Sequence, residues 1–327
     1  MSALQLTPPR KFSHIAVLDL LRAGCILYII GFWHLFNYTY AFPAYENPVT
    51  YRLTVTVLGL FTLLSGYLIG HKNISLTRPE LLGFYRQRLL RIYPPYLLAL
   101  LVFLVLKIAT LAPVLKSAVL LSLLWGPPPY TLWYMVMLLS FYILAPVLIA
   151  LRGNLAHFLG LCAGLMAAML TLFTFNHSMD PRMVLYFPAF ATGIMLAGRD
   201  LSQTSPRTIV ILGLAASAAV MLSVFDSSKV ESSLLSIPLA LLVPSALMLV
   251  ALRYARNWGN HRLIGLIAYA SFFAYLFHRP IYKVMTFVYM PSSHSAQVAY
   301  LLGACLPMAL IGAWIGQTVY DQLLKRA

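Results

Sequence analysis

Apolar residues run along this chain in long blocks rather than in stripes or alternation. Hydropathy marks ten such runs: 15–37, 53–70, 95–112, 130–151, 155–176, 183–198, 207–225, 234–252, 263–288 and 297–320. A helix crossing the hydrocarbon core of a bilayer needs about 20 apolar residues. The pattern therefore predicts an all-α, polytopic membrane bundle of about ten transmembrane helices. An eleventh run, 115–125, is too short to cross and reads as a re-entrant or interfacial piece. It ends at Gly126-Pro127-Pro128-Pro129, which cannot be helical throughout. No repeat, low-complexity segment or domain boundary interrupts the chain. Residues 1–327 read as one membrane-embedded domain with a polar tail at 1–14 and a basic cytoplasmic loop at 71–94.

Composition narrows the class. Of 327 residues, 61% are hydrophobic and only 9% charged, whereas soluble domains average about 45–50% and about 25%. A water-soluble enzyme, a disordered tail and a coiled-coil or collagen-like rod are excluded, and any chemistry must occur inside the bundle or at its faces. The three cysteines, Cys25, Cys162 and Cys305, lie in apolar runs with no disulfide or zinc spacing. The first apolar run is long and has no small-residue cleavage site after it, so a signal peptide is not expected.

The net charge of +15 would point to nucleic acid in a soluble protein. In a membrane protein it sets topology, because Lys and Arg collect in short cytoplasmic loops. With the N-terminus inside, 15 of the 23 Lys and Arg fall in cytoplasmic segments. Four, Arg52, Lys116, Arg182 and Lys229, fall outside. That split places both termini in the cytoplasm, favours an even number of crossings, and removes nucleic acid as a partner.

Ionisable groups within a bilayer are costly and mark functional candidates. The first span, LDLLRAGCILYIIGFWH, carries Asp19, Arg22 and His34. Asp19 and Arg22 are three apart on one helix face and can pair. His34 lies roughly 18 Å beyond Arg22 at 1.5 Å per residue, in the outer half of the membrane. The ninth span carries His278, Arg279 and Lys283, with His278 at a depth similar to His34. Pro280 breaks local helix hydrogen bonding, which membranes tolerate where neighbouring groups or a cavity compensate. The stretch FYRQRLLRIYPPYLL places Arg88 and Arg91 on one face with Arg86 nearby, and Pro94 and Pro95 suit the start of the next helix. Those arginines are either headgroup anchors or an anion site, since guanidinium forks bind phosphate. No P-loop, GxGxxG, HExxH or GxSxG is present, and the eight acidic residues are spread too thinly for a carboxylate metal site. Histidine is the natural general base.

Five stretches, in order between residues 18 and 280, resemble the acyltransferase family 3 membrane proteins, which O-acylate bacterial surface sugars. They are LDLLRAGCILYIIGFWH; LLSGYLI, with Ser65 and Gly66; RQRLLRIYPPY; LWYMVMLLSFYILAP, with Trp133; and SFFAYLFHRP, with Tyr275, His278 and Pro280. The resemblance implies an enzyme of the bacterial cytoplasmic membrane that takes an acyl group, usually acetyl, from cytoplasmic acyl-CoA to a hydroxyl of an extracytoplasmic or lipid-linked glycan. It implies no bound cofactor and no metal. Carried over by position, Arg22 and His34 are the essential pair, and Arg88 and Arg91, with Arg86, serve the acyl-CoA. His278 and Tyr275 are candidates for a second catalytic or acceptor-orienting role, and Ser65, Gly66, Trp133 and Pro280 are structural.

Two departures stand out. The family spaces arginine and histidine by ten residues, whereas Arg22 and His34 have eleven between them. One extra residue turns a helix by about 100°. Either a bulge around Gly31 absorbs it, as π-bulges do at functional sites, or His34 is not the equivalent base. In the fourth helix, where many relatives have a glutamate, this chain has Leu138 and Leu139. Many relatives also carry a fused SGNH-type domain; this chain is expected to be the stand-alone form. A transporter or flippase for a glycan or lipid-linked sugar is the rival reading, as is a non-catalytic membrane subunit.

Overall fold

The computed structural model describes residues 15–176, 178–223, 234–256 and 258–326. The expected tail at 1–14 and Lys229 lie outside them. The described residues form twelve α-helices, numbered here in chain order: α1 Ala16–Tyr28, α2 Pro48–Gly70, α3 Arg78–Val105, α4 Leu111–Ala118, α5 Trp133–Leu151 and α6 Leu155–Asn176. They continue as α7 Pro181–Leu196, α8 Pro206–Leu222, α9 Ile237–Tyr254, α10 Arg262–Val288, α11 His294–Tyr300 and α12 Leu306–Arg326. Eight helical segments are long and apolar enough to cross a membrane, and α7 and α8 are shorter apolar helices. Together they account for the ten hydrophobic runs. The run at 115–125 does not cross: its helix, α4, has eight residues, about 12 Å at 1.5 Å per residue.

Polar capping residues and prolines fix several helix starts. Asn47 accepts from the backbone N–H of Val49 and Thr50, and Thr50 returns the bond to Asn47, a full capping box at α2. Asp180 caps α7 and Ser205 caps α8, each followed by proline at the first helical position.

The core forms where α2 crosses α7 and α9, and there the backbones approach closely. A Cβ at Gly66 would overlap the carbonyl oxygen of Phe190, one at Gly193 that of Leu63, and one at Gly59 that of Ala240. Small residues at helix crossings are how membrane helices gain dispersion contact without a hydrophobic drive between them. Phe141, Phe187 and Phe190 fill the space beside this crossing, fully buried, with ring centroids 5.3 to 5.6 Å apart. Apolar side chains on α6 and α8, such as Leu159, Phe175 and Leu214, face outward, as lipid-facing positions should.

The basic stretch differs from its expected form. Helix α3 starts at Arg78, not at Pro95, so most of the predicted 71–94 loop is helix and Pro94 and Pro95 lie in its interior. Proline removes a backbone donor and frees the carbonyl four residues earlier. For Pro94 that carbonyl belongs to Leu90, and Tyr320 of α12 donates its hydroxyl to it. A partner from the last helix thus satisfies the group that would otherwise end this helix.

The starts of α1, α3 and α10 and the end of α12 gather at one end of the bundle. Val17 donates to the Arg256 carbonyl at 3.4 Å, and Tyr269 bonds Asp321 at 2.6 Å. Arg88, Arg91, Arg152, Arg253 and Lys325 sit towards this end, called here the basic end.

Candidate active site

His34 is delivered by an irregularity in the first helix. After Tyr28, residues Ile29–Trp33 form a π-turn, and the His34 N–H bonds the Ile29 carbonyl, five residues back, at 2.9 Å. A π-turn holds one residue more than an α-turn. It lies at Gly31 and absorbs the eleventh residue between Arg22 and His34. Gly31 faces Leu306, which would stand 3.1 Å from a Cβ there, and Tyr282 donates to the Ile30 carbonyl at 3.1 Å. The last membrane helix also carries a π-turn, Leu301–Cys305, directly before Leu306.

The irregularity brings His34 against His278. Their rings are parallel to within 4°, with centroids 4.9 Å apart, and His34 Nδ1 lies 2.9 Å from His278 Nε2. Both are buried, His278 completely. The proton positions follow from the partners. His278 Nδ1 lies 3.0 and 2.9 Å from the carbonyls of Ala274 and Tyr275. Carbonyls only accept, so that nitrogen carries the hydrogen. A neutral His278 then presents a lone pair at Nε2, and His34 must donate to it from Nδ1. The remaining nitrogen of His34, Nε2, is left with a free lone pair. Backbone carbonyls of α10 thus set the tautomer of His34 through His278, placing a base at its outer nitrogen.

Arg22 is not part of this pair. It lies three turns towards the basic end, 3.8 Å from Asp19 and 3.2 Å from the Ser271 hydroxyl of α10. It lines a cavity of about 300 Å³ with Arg88, Arg91, Ser65, Tyr142 and Leu138. The Arg88 guanidinium stands 5.6 Å from the Tyr142 ring, and its Nε is buried with no hydrogen-bond partner. A buried unpaired donor is costly unless a ligand completes it. Lys72, in the connection before α3, bonds Gln87 at 2.8 Å. Partial burial, reinforced by Arg88 and Arg91, lowers its pKa, as expected beside a cluster of cations. Arg86 is exposed and does not line the cavity. Leu138, where many relatives were expected to have a glutamate, is an apolar part of the wall.

A second cavity, of about 450 Å³, opens beyond His34. It is lined by His34, Trp33, Trp133, Asp180, Arg182 and Tyr186 among others. Tyr275 lines both cavities. Its hydroxyl donates to the Thr131 carbonyl, and its ring lies 5.5 Å from Tyr134 and 6.1 Å from His278. One phenol ring therefore stands between an arginine-lined chamber and the chamber of the histidine pair. The other expected structural residues have clear tasks. Ser65 bonds the Phe61 carbonyl at 2.8 Å, Gly66 permits the helix crossing described above, and Pro280 lies buried in α10 just beyond His278.

Reading the sequence misses Tyr142, Lys72 and the Asp180–Arg182 pair. Only the last had a visible signal, the Asp-Pro-Arg of a helix start. Among the described residues, no group of three or more His, Cys, Asp or Glu is placed to hold a metal.

A polytopic helical bundle with two internal cavities, one lined by arginines and one by His34, is the architecture of an integral-membrane protein with room for ligands inside the bundle. The acyltransferase 3 family model, described as an acyltransferase domain, matches residues 15–317, nearly the whole chain, and the protein belongs to that family. It is an acyltransferase, which sets aside the transporter and subunit readings. No curated protein and no solved structure matches it.

Proposed function

We propose that the protein moves an acyl group, acetyl in the simplest case, from cytoplasmic acyl-CoA to a hydroxyl of an extracytoplasmic or lipid-linked glycan, in the cytoplasmic membrane of a bacterium. The observation that carries this is the pair of chambers meeting at Tyr275, one walled by Arg22, Arg88 and Arg91, the other by His34. Guanidinium groups suit the coenzyme A phosphates, and the pantetheine arm is long and thin enough to extend inward from them. Arg22 joins the phosphate side in this reading, and Arg86 has no part in it.

In the transfer step His34 Nε2 takes the proton of the acceptor hydroxyl as its oxygen attacks the thioester carbonyl. The tetrahedral intermediate collapses, the C–S bond breaks, and the thiolate takes the proton back from the His34 imidazolium. The products are the O-acyl ester and free coenzyme A, with His34 restored. His278 accepts the Nδ1–H bond of His34 throughout and stabilises the imidazolium, the role of a base-orienting partner. Inverted membrane vesicles supplied with radiolabelled acetyl-CoA test the reading. Label in base-labile glycan material that disappears in His34→Ala supports it. Label that persists in His34→Ala removes His34 as the base.

A further inference from the structure

We propose that the outer cavity is the acceptor site and that it takes an uncharged pyranose, bound beside the aromatic wall of Trp33, Trp133 and Tyr186 with Arg182 as hydrogen-bond donor; this rests on the acyl-transfer reading above. The cavity, at about 450 Å³, falls within the size range of small-molecule sites. His34 is in its wall, so a hydroxyl bound there lies beside the base. Its aromatic surface is fixed in place. The Trp133 ring runs nearly parallel to Tyr186 at 6.3 Å, and Trp33 packs edge-on to Tyr45 at 5.9 Å. Arg182 covers one face of Trp133, so these rigid rings offer their edges and remaining surface to the apolar C–H groups of a sugar.

The charge of the site points the same way. Asp180 and Arg182 are the acidic and guanidinium groups of the lining. The Arg182 guanidinium lies flat over Trp133, 4.0 Å from the ring centre. Its Nε gives a 2.7 Å bond to Asp180 Oδ1, and its Nη2 bonds Oδ2. Asp180 also accepts the Arg182 backbone N–H at 3.0 Å as the cap of α7. The carboxylate therefore already accepts three bonds from Arg182, and the guanidinium is neutralised by a bidentate partner. What remains for a ligand is the set of unused guanidinium hydrogens, which suit hydroxyl oxygens. A sugar carboxylate would come close to Asp180 and would have to compete with it for Arg182, a costly exchange in a part-buried site.

The test uses the full-length protein in detergent with acetyl-CoA and a panel of methyl hexopyranosides and their matching hexuronides. Acetyl transfer is read together with direct sugar binding by tryptophan-fluorescence quenching. The expected result is a preference for the neutral sugar of about tenfold or more, equivalent to ~1.4 kcal/mol. Asp180→Asn, which frees the Arg182 charge, should shift the preference towards the hexuronide by a similar factor. Trp133→Phe should reduce the quenching, leaving the share reported by Trp33, and raise the acceptor KM while coenzyme A binding stays constant. A hexuronide preference in the parent protein overturns the proposal, as does a preference unmoved by Asp180→Asn. Absence of quenching by every neutral pyranoside does so too. Failure of acetyl transfer to any sugar, with coenzyme A binding lost, strikes the acyl-transfer reading instead.

Discussion

His34 Nδ1 lies 2.9 Å from Nε2 of His278, and His278 in turn is held through Nδ1 by two carbonyls of its own helix. The proposed base is thus oriented by a second histidine whose tautomer the backbone dictates. His278→Phe keeps a ring in the space but removes both nitrogens. Its kcat should fall about 10²–10⁴-fold, the usual range for losing a positioned acid–base contribution. Coenzyme A affinity should change by less than about threefold, since the arginine-lined chamber is untouched. An unchanged kcat would show that His34 does not depend on this partner.

The π-turn at Ile29–Trp33 accommodates one residue beyond the family spacing. Deleting Gly31 should convert it to an ordinary α-turn with Arg22 and His34 still on their present faces, and acyl transfer should survive. Inserting an alanine after Gly24 adds a twelfth residue with no turn to absorb it and rotates His34 by about 100°. Transfer should then be abolished while the protein still reaches the membrane. Equal loss in both variants would count against the bulge as the compensating device.

Arg22, Arg88 and Arg91 line one chamber, and Arg86 lies outside it. Replacing any of the three by glutamine should weaken coenzyme A binding by about tenfold or more, ~1.4 kcal/mol each. Arg86→Gln should bind within about twofold of the parent, since an exposed charge away from the ligand contributes little. Titration of coenzyme A into purified protein distinguishes the four. A loss in Arg86→Gln equal to the others would relocate the phosphate site to the exposed face of α3.

Gly66→Ala is a stability prediction. The added methyl meets the Phe190 carbonyl, which cannot swing aside as a side chain could. Overpacking costs about 1–3 kcal/mol and occasionally more, and a backbone obstacle puts this one at the upper end. Thermal unfolding in detergent should show a lower midpoint, whereas Gly83→Ala, where a Cβ meets nothing within 4 Å inside helix α3, should hold or raise it, because Ala is the better helix former.

The helical bundle was legible because a membrane helix announces itself by length and apolarity, with no partner needed to interpret it. His34, His278 and the arginines were legible for the complementary reason that charge and imidazole are out of place in hydrocarbon. The bulge at Gly31 was visible only as a mismatch in spacing, with two resolutions open. The extent of α3 was misjudged because Pro94 and Pro95 read locally as a helix start. The carbonyl that Pro94 frees is satisfied by Tyr320, more than two hundred residues away, and no local pattern records that. Tyr275 was visible as a candidate, but its position between the chambers depends on how α5 and α10 pack.

The partition at Tyr275 also has an electrical meaning. A bilayer holds its voltage across whatever part of the path excludes water and ions, and each elementary charge crossing 100 mV does about 2.3 kcal/mol of work. Were water to fill both chambers, the insulating thickness beside Tyr275, which lines both, would shrink towards that of the side chains between them. The potential would then fall most steeply there instead of being spread over the full bilayer, and a proton transferred at that depth would move in a concentrated field.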